Sequence, residues 1–146
     1  MTQGFLRDTN VLSEWMRTAL ATEVLAWFAS HAPDAMYTSS ITQAEILTGI
    51  ALLPEGKRRN TLAQTAQAMF TQDFAGNRVL SFDRAAAKHC ALVVASRTRL
   101  GRPISTEDAQ IAAIALAAGL PLLTRNTKDF ADIAGLDQIN PWQSSH

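Results

Sequence analysis

Three acidic residues stand where short apolar segments give way to helical spacing. Asp8 ends the segment Phe5-Leu6-Arg7, Glu45 follows Thr42 by three residues, and Asp108 follows Ser105 by three residues. In open parallel sheets, the carboxyl ends of the strands and the helix starts beside them share one edge, where ligands bind. Carboxylates gathered at such an edge repel one another unless a cation neutralises them. An all-oxygen ligand set without Cys or His favours Mg²⁺ or Mn²⁺ over zinc. Such an ion keeps several waters and leaves room for phosphate oxygens, so phosphodiester hydrolysis is the natural chemistry of this arrangement.

The same residues have a simpler reading. Thr42-Gln43-Ala44-Glu45 and Ser105-Thr106-Glu107-Asp108 both match a capping box, in which the carboxylate serves unpaired backbone N–H groups and the helix dipole. Asp83 reads as an N-cap without chemistry. Thr48 and Gly49 give the Glu45 helix a small, partly polar face, which suits either an approaching substrate or close helix packing. Two basic clusters, Lys57-Arg58-Arg59 and Arg97/Arg99/Arg102, read as a solvated helix face and a cation-rich helix C-terminus. His31, His89 and His146 match no catalytic pattern.

The elements that must position the acids alternate between strand and helix, which signals an α/β domain with a mostly parallel sheet. Strands are predicted at 5–7, 35–41, 78–82, 121–125 and 138–140. Helices are predicted at 22–32, 42–53, 57–70, 83–99 and 106–118, the last closed by Gly119. A chain of 146 residues fits one domain spanning 1–146, with a core that needs no staples. Thirteen basic residues balance thirteen acidic ones, which argues against a strongly basic nucleic-acid coat but not against a nuclease with segregated charge. The single cysteine, Cys90, excludes an intramolecular disulfide and a Cys-rich zinc site. With no signal peptide and no run of 18 apolar residues, a cytoplasmic protein without a membrane span is expected.

Four segments, in order, resemble the motifs of PIN-domain toxins of the VapC/FitB type. These are Leu6 to Glu14 (LRDTNVLSE), Ser39 to Ile50 (SSITQAEILTGI), Pro103 to Ala113 (PISTEDAQIAA) and Leu123 to Phe130 (LTRNTKDF), with Val79 to Asp83 resembling the middle strand and its cap. The resemblance spans nearly the whole chain. It implies a parallel sheet of about five strands flanked by α-helices on both faces, and a Mg²⁺- or Mn²⁺-dependent endoribonuclease acting as the toxin of a toxin–antitoxin pair, with tRNA a candidate substrate. Asp8, Glu45 and Asp108 match the family's three firmest acids. Asp8 and Asp108 are expected as direct metal ligands, and Glu45 as a ligand, directly or through water, or as an orienter of the attacking water. Thr9 and Thr124 are expected to support these carboxylates by hydrogen bonding. A homodimer bound by a VapB/FitA-like antitoxin is also implied, with DNA contacted only through that complex.

Two departures bear on the site. Asn126 stands where some relatives carry a fourth Asp, and it offers an oxygen without a charge. Asp129 could substitute only if its loop folds back; otherwise it is an exposed loop residue or a helix cap. Arg7 replaces a usually apolar residue and must point to solvent, pair, or approach Asp8 or a phosphate. Three other readings compete. A haloacid-dehalogenase-like phosphatase needs a second Asp two residues after the first, where this chain has Asn10. A catalytically weak or inactive PIN-fold module would act through antitoxin-mediated nucleic-acid binding. A purely structural α/β protein would use all three acids as caps.

Overall fold

The computed structural model describes residues 4–16 and 20–143. Alternation along the central strands sorts the core into two layers. Strand β1 (Phe5–Arg7) pairs in parallel with β2 (Met36–Ser39) on one side and with β4 (Leu122–Leu123) on the other. Strands β3 (Val79–Leu80) and β5 (Gln138–Ile139) extend the sheet outward, giving the order β3-β2-β1-β4-β5 with every pairing parallel. Phe5 and Leu123 face one core, and Leu6 and Leu122 face the other.

Parallel neighbours require crossovers, and helices supply most of them. The first core is closed by α1 (Thr9–Trp15), α2 (Thr22–Ala29), α3 (Ser40–Ala51) and α4 (Lys57–Ala68), through Val11, Leu12, Val24, Phe28, Ile46 and Ile50 among others. The second is closed by α5 (Arg84–Arg99) and the alanine-rich α6 (Thr106–Ala118), with Phe130 beneath them. This is the α/β architecture expected from the sequence. Gly119 ends α6 in the left-handed region (φ 68°), where a side chain would be strained.

Several boundaries differ from the sequence expectation. Helix α1 was not anticipated; it is short, and its start signal is Asp8 itself followed by Val11, Leu12 and Trp15. Strand β2 stops at Ser39 rather than 41, because Ser39 caps α3 and draws Ser40 and Ile41 into the helix. Helix α2 ends at Ala29, and the segment after α4 continues as a π-turn, Met69–Asp73. His146 lies outside the described residues.

The structure also decides the place of Arg7. Strand β1 is central, and Arg7 shares the face of Phe5, so its side chain enters the first core. Its guanidinium lies 4.4 Å from the ring centroid of Phe28, 4.9 Å from Trp15 and 5.5 Å from Phe74. Burial pushes its pKa down to about 10, against the opposing pull of Asp73, so it remains cationic at neutral pH. Its Nε has no hydrogen-bond partner. Ring contacts of this kind return about 2 kcal/mol when desolvated. An unpaired buried N–H costs about 1–3 kcal/mol, and the buried charge adds to that cost. Arg7→Met keeps the apolar stem and removes both penalties. It is expected to raise the unfolding free energy by about 1 kcal/mol in urea titration; a loss of that size instead would show that the aromatic cage and the attraction of Asp73 outweigh the unpaired N–H and the cost of burying the charge.

Candidate active site

The strand order changes direction between β1 and β4, because β2 lies on one side of β1 and β4 on the other. Such a switch point leaves a crevice at the carboxyl ends of the strands. Asp8 follows β1 and Thr124 follows β4, and their backbones are in register, with Asp8 N donating to Leu123 O at 3.0 Å. Asp8 is 2% exposed. It is the N-cap of α1, where Oδ1 accepts the Val11 N–H at 2.9 Å. Its Oδ2 accepts the Thr124 hydroxyl at 2.6 Å. Burial nevertheless raises its pKa to about 6, helped by the charge of Asp108, while the Thr124 and backbone hydrogen bonds oppose the rise.

Glu45 does not occupy the capping position that the Thr42–Glu45 spacing suggested. The cap of α3 is Ser39, whose Oγ accepts the Thr42 N–H at 3.0 Å, so Glu45 falls in the second turn and is free of that duty. Its Oε1 accepts the Thr9 hydroxyl at 2.5 Å, and Thr9 Oγ1 lies 3.1 Å from the buried Thr42 Oγ1. Thr9 has one hydroxyl proton, so donation to Glu45 leaves Thr42 as the donor to Thr9. Asp108 is partly buried in the first turn of α6, where Ser105 Oγ accepts its backbone N–H at 3.1 Å. Burial raises its pKa, against a Ser105 hydrogen bond, and the charges of Asp129, Glu45 and Glu107 add to the rise. Asp108 thus senses Glu45 and Asp129, and Asp8 senses Asp108.

Asn126 and Asp129 are both exposed, and Asp129 lies in the 3₁₀ turn Thr127–Phe130. The Thr124 hydroxyl oxygen that donates to Asp8 also accepts the Asn126 N–H at 3.0 Å. Arg125 donates to both carboxylate oxygens of Glu14, at 2.8 and 3.0 Å, tying this loop to α1. Among the described residues no three His, Cys, Asp or Glu side chains are gathered tightly enough to hold a metal ion unaided. Asp83 caps α5, accepting the Ala86 N–H at 2.9 Å, as the sequence indicated.

A cavity of about 330 Å³ opens beside Glu45, lined by Thr9, Ser13, Gly49, Ile50 and Arg58 among others. A Cβ on Gly49 would meet nothing within 4 Å, so this glycine does not serve close helix packing. Arg58 brings one of the basic clusters to the site, a role the sequence reading did not give it. Its signal was only the charge run opening α4, which a solvated helix face explains as well.

The profile of the PIN domain family matches residues 5–136. Plasmid stability protein StbB of Pseudomonas syringae pv. tomato is 45% identical over 139 residues, covering 95% of this chain and 99% of that protein. VapC ribonuclease Y4jK of Sinorhizobium fredii is 40% identical over 136 residues, covering 93% and 96%. Among solved structures, FitAB bound to an IR36 DNA fragment contains a chain that superposes with a TM-score of 0.87 at 35% identity, covering 97% of this chain and 98% of that one. An all-parallel sheet with acidic residues at its switch point defines the class, and the chain belongs to the PIN domain family.

The burial of Asp8 has a pH signature. Its folded-state pKa of about 6 lies above the unfolded value of about 3.9, so the fold binds this proton more tightly than the unfolded chain does. The resulting stability is fully present below about pH 4 and is lost as pH rises through about 6. In chelator, Asp8→Asn, neutral at every pH, is expected to match the wild type near pH 4 and to exceed it by roughly 3 kcal/mol at pH 7. Urea titrations of both proteins across this range check it, and a pH-independent difference would count against the raised pKa.

Proposed function

We propose that the chain is an endoribonuclease that hydrolyses RNA with Mg²⁺ or Mn²⁺, and that it is the toxin of a toxin–antitoxin pair. The carrying observation is the Asp8 carboxylate, buried at the switch point and pushed toward neutrality by burial and by the charge of Asp108. Mutually repelling carboxylates without a His or Cys partner suit a hard divalent cation. Such an ion takes one or two carboxylates and keeps several of its waters. In this reading Asp8 and Asp108 hold the ion, with Glu45 assisting directly or through water. When bound, the ion supplies an activated water and charge stabilisation at the leaving oxygen.

The chain's own residues prepare for this. Thr124 holds Asp8 Oδ2 and Thr9 holds Glu45 Oε1, so both carboxylates are oriented before substrate arrives. Asp8 must lose its proton to act as a ligand, so metal affinity is expected to rise with pH through about 6. Asn126 contributes no charge, and the acid in that loop whose charge reaches Asp108 is Asp129. We assign Asp129 the accessory acidic role. Partly exposed carboxylates at an open edge favour single-stranded or looped RNA over a stiff duplex, and tRNA is the first to test.

Relatives named as a VapC ribonuclease and a FitB toxin support this reading, as do the solved toxin–antitoxin complexes. The proposal extends to one PIN domain formed by the whole chain, a homodimer in the cytoplasm, and a VapB/FitA-like antitoxin through which alone the complex contacts DNA. No helix among the described residues is long and apolar enough to cross a membrane.

The test uses the purified chain, freed of antitoxin, with total bacterial RNA in Mg²⁺, Mn²⁺ or EDTA. Discrete cleavage is expected with metal and not with EDTA. Asp8→Asn and Asp108→Asn are each expected to reduce it by more than about 100-fold, since removing a ligand forfeits several kcal/mol of transition-state stabilisation. Mn²⁺ should raise the Tm of the wild type and not that of Asp8→Asn. Folded wild-type protein that cleaves no RNA with either ion would sink the proposal.

A further inference from the structure

Arg97 is the second buried arginine, 5% exposed in the last turn of α5. Favourable placement at a helix C-terminus requires neither burial nor bonds to another segment, and Arg97 has both. Its Nε donates to the carbonyl of Arg102 at 2.7 Å, and its Nη1 donates to the carbonyls of Asp129 at 3.0 Å and Ala131 at 3.1 Å. Among the described residues it forms no ion pair.

These bonds fall on the turn that follows the fourth motif. The intervening carbonyl, of Phe130, accepts Gln138 Nε2 at 3.0 Å, so three consecutive carbonyls are held by side chains from α5 and β5. At its other end the turn is held by the Thr124 hydroxyl, which accepts the Asn126 N–H and donates to Asp8. Backbone bonds at the ends of the 3₁₀ turn run from Asp129 N to Asn126 O at 3.0 Å and from Ala131 N to Lys128 O at 3.3 Å. It carries Asp129, whose charge acts on Asp108.

We propose that Arg97 is a positioning residue of the active site, clamping the 126–131 turn by its carbonyls so that the Asp129 carboxylate stays beside Asp108. The inference rests on the reading of the acidic edge as a metal-dependent nuclease site. A single buried guanidinium reaches two segments at once because its N–H groups diverge in one rigid plane, a geometry that a lysine ammonium cannot reproduce.

A double-mutant cycle separates this role from simple support of the fold. The variants are Arg97→Met, Asp129→Asn and the two together. Each is measured for the Mn²⁺ concentration giving half-maximal thermal stabilisation, and for RNA cleavage. Each single variant is expected to require about tenfold more Mn²⁺. The double variant should be no worse than the poorer single variant by more than about twofold. Should Arg97→Met not fold, Arg97→Lys carries the same cycle, because it retains the charge but cannot bridge the three carbonyls. Multiplying losses, or an Arg97 variant with lowered Tm and unaltered Mn²⁺ requirement, would overturn the positioning role alone. Wild-type protein that is neither stabilised by Mn²⁺ nor able to cleave RNA would overturn both this role and the nuclease reading.

Discussion

The Asp8 carboxylate is withdrawn from water at the point where β1 and β4 diverge, and a buried carboxylate must be given donors, a proton or a cation. Two donors reach it, one per oxygen: the Val11 N–H of the helix that Asp8 itself starts, and the Thr124 hydroxyl at the end of the neighbouring strand. They do not offset the loss of solvation, and the pKa stays near 6. In the proposed function, a cation would supply the compensation that these two donors leave incomplete. Asp8 is at once a strand end, a helix cap and an electrostatic debt, and the surrounding elements are arranged about it.

Helices α1, α3 and α6 begin near the same edge, capped by Asp8, Ser39 and Ser105. Helix N-termini carry partial positive charge, so this edge tolerates anions better than the bare count of acids suggests. Capping by Ser39 is what releases Glu45. Had Thr42 been the cap, Glu45 would have turned back onto the backbone. Instead Thr42 is buried beside Thr9, and the pair of hydroxyls presents a donor to the Glu45 carboxylate.

Two buried arginines illustrate how the same side chain serves different ends. Arg7 sits among three aromatic rings with its Nε unpaired, an expensive occupant of the central strand. Arg97 spends its donors on carbonyls of two loops and so joins α5 to the segment bearing Asp129. The first is a charge the core must tolerate; the second satisfies carbonyls of the turn with a side chain from another element.

The sequence by itself determined the layer architecture, because apolar periodicity records which faces are buried, and it marked Asp83, Ser105 and Gly119 as helix ends, because caps are local chemistry. It also placed acids and hydroxyls at the strand-to-helix junctions. It did not reveal α1, whose seven residues are too few for a periodic signal. It took Thr42 as the cap of α3, whereas the structure gives that place to Ser39, whose backbone is extended and whose Oγ accepts the Thr42 N–H. The family resemblance pointed to Thr124 as a support for the acids, but the surroundings of Arg7 and the hold of Arg97 on the 126–131 turn were decided by tertiary structure alone. Arg97 meets carbonyls 32 and 34 residues away, and Asp8 meets a hydroxyl 116 residues away. Partners so distant are brought together by strand order and helix packing, and no local pattern of residues records them.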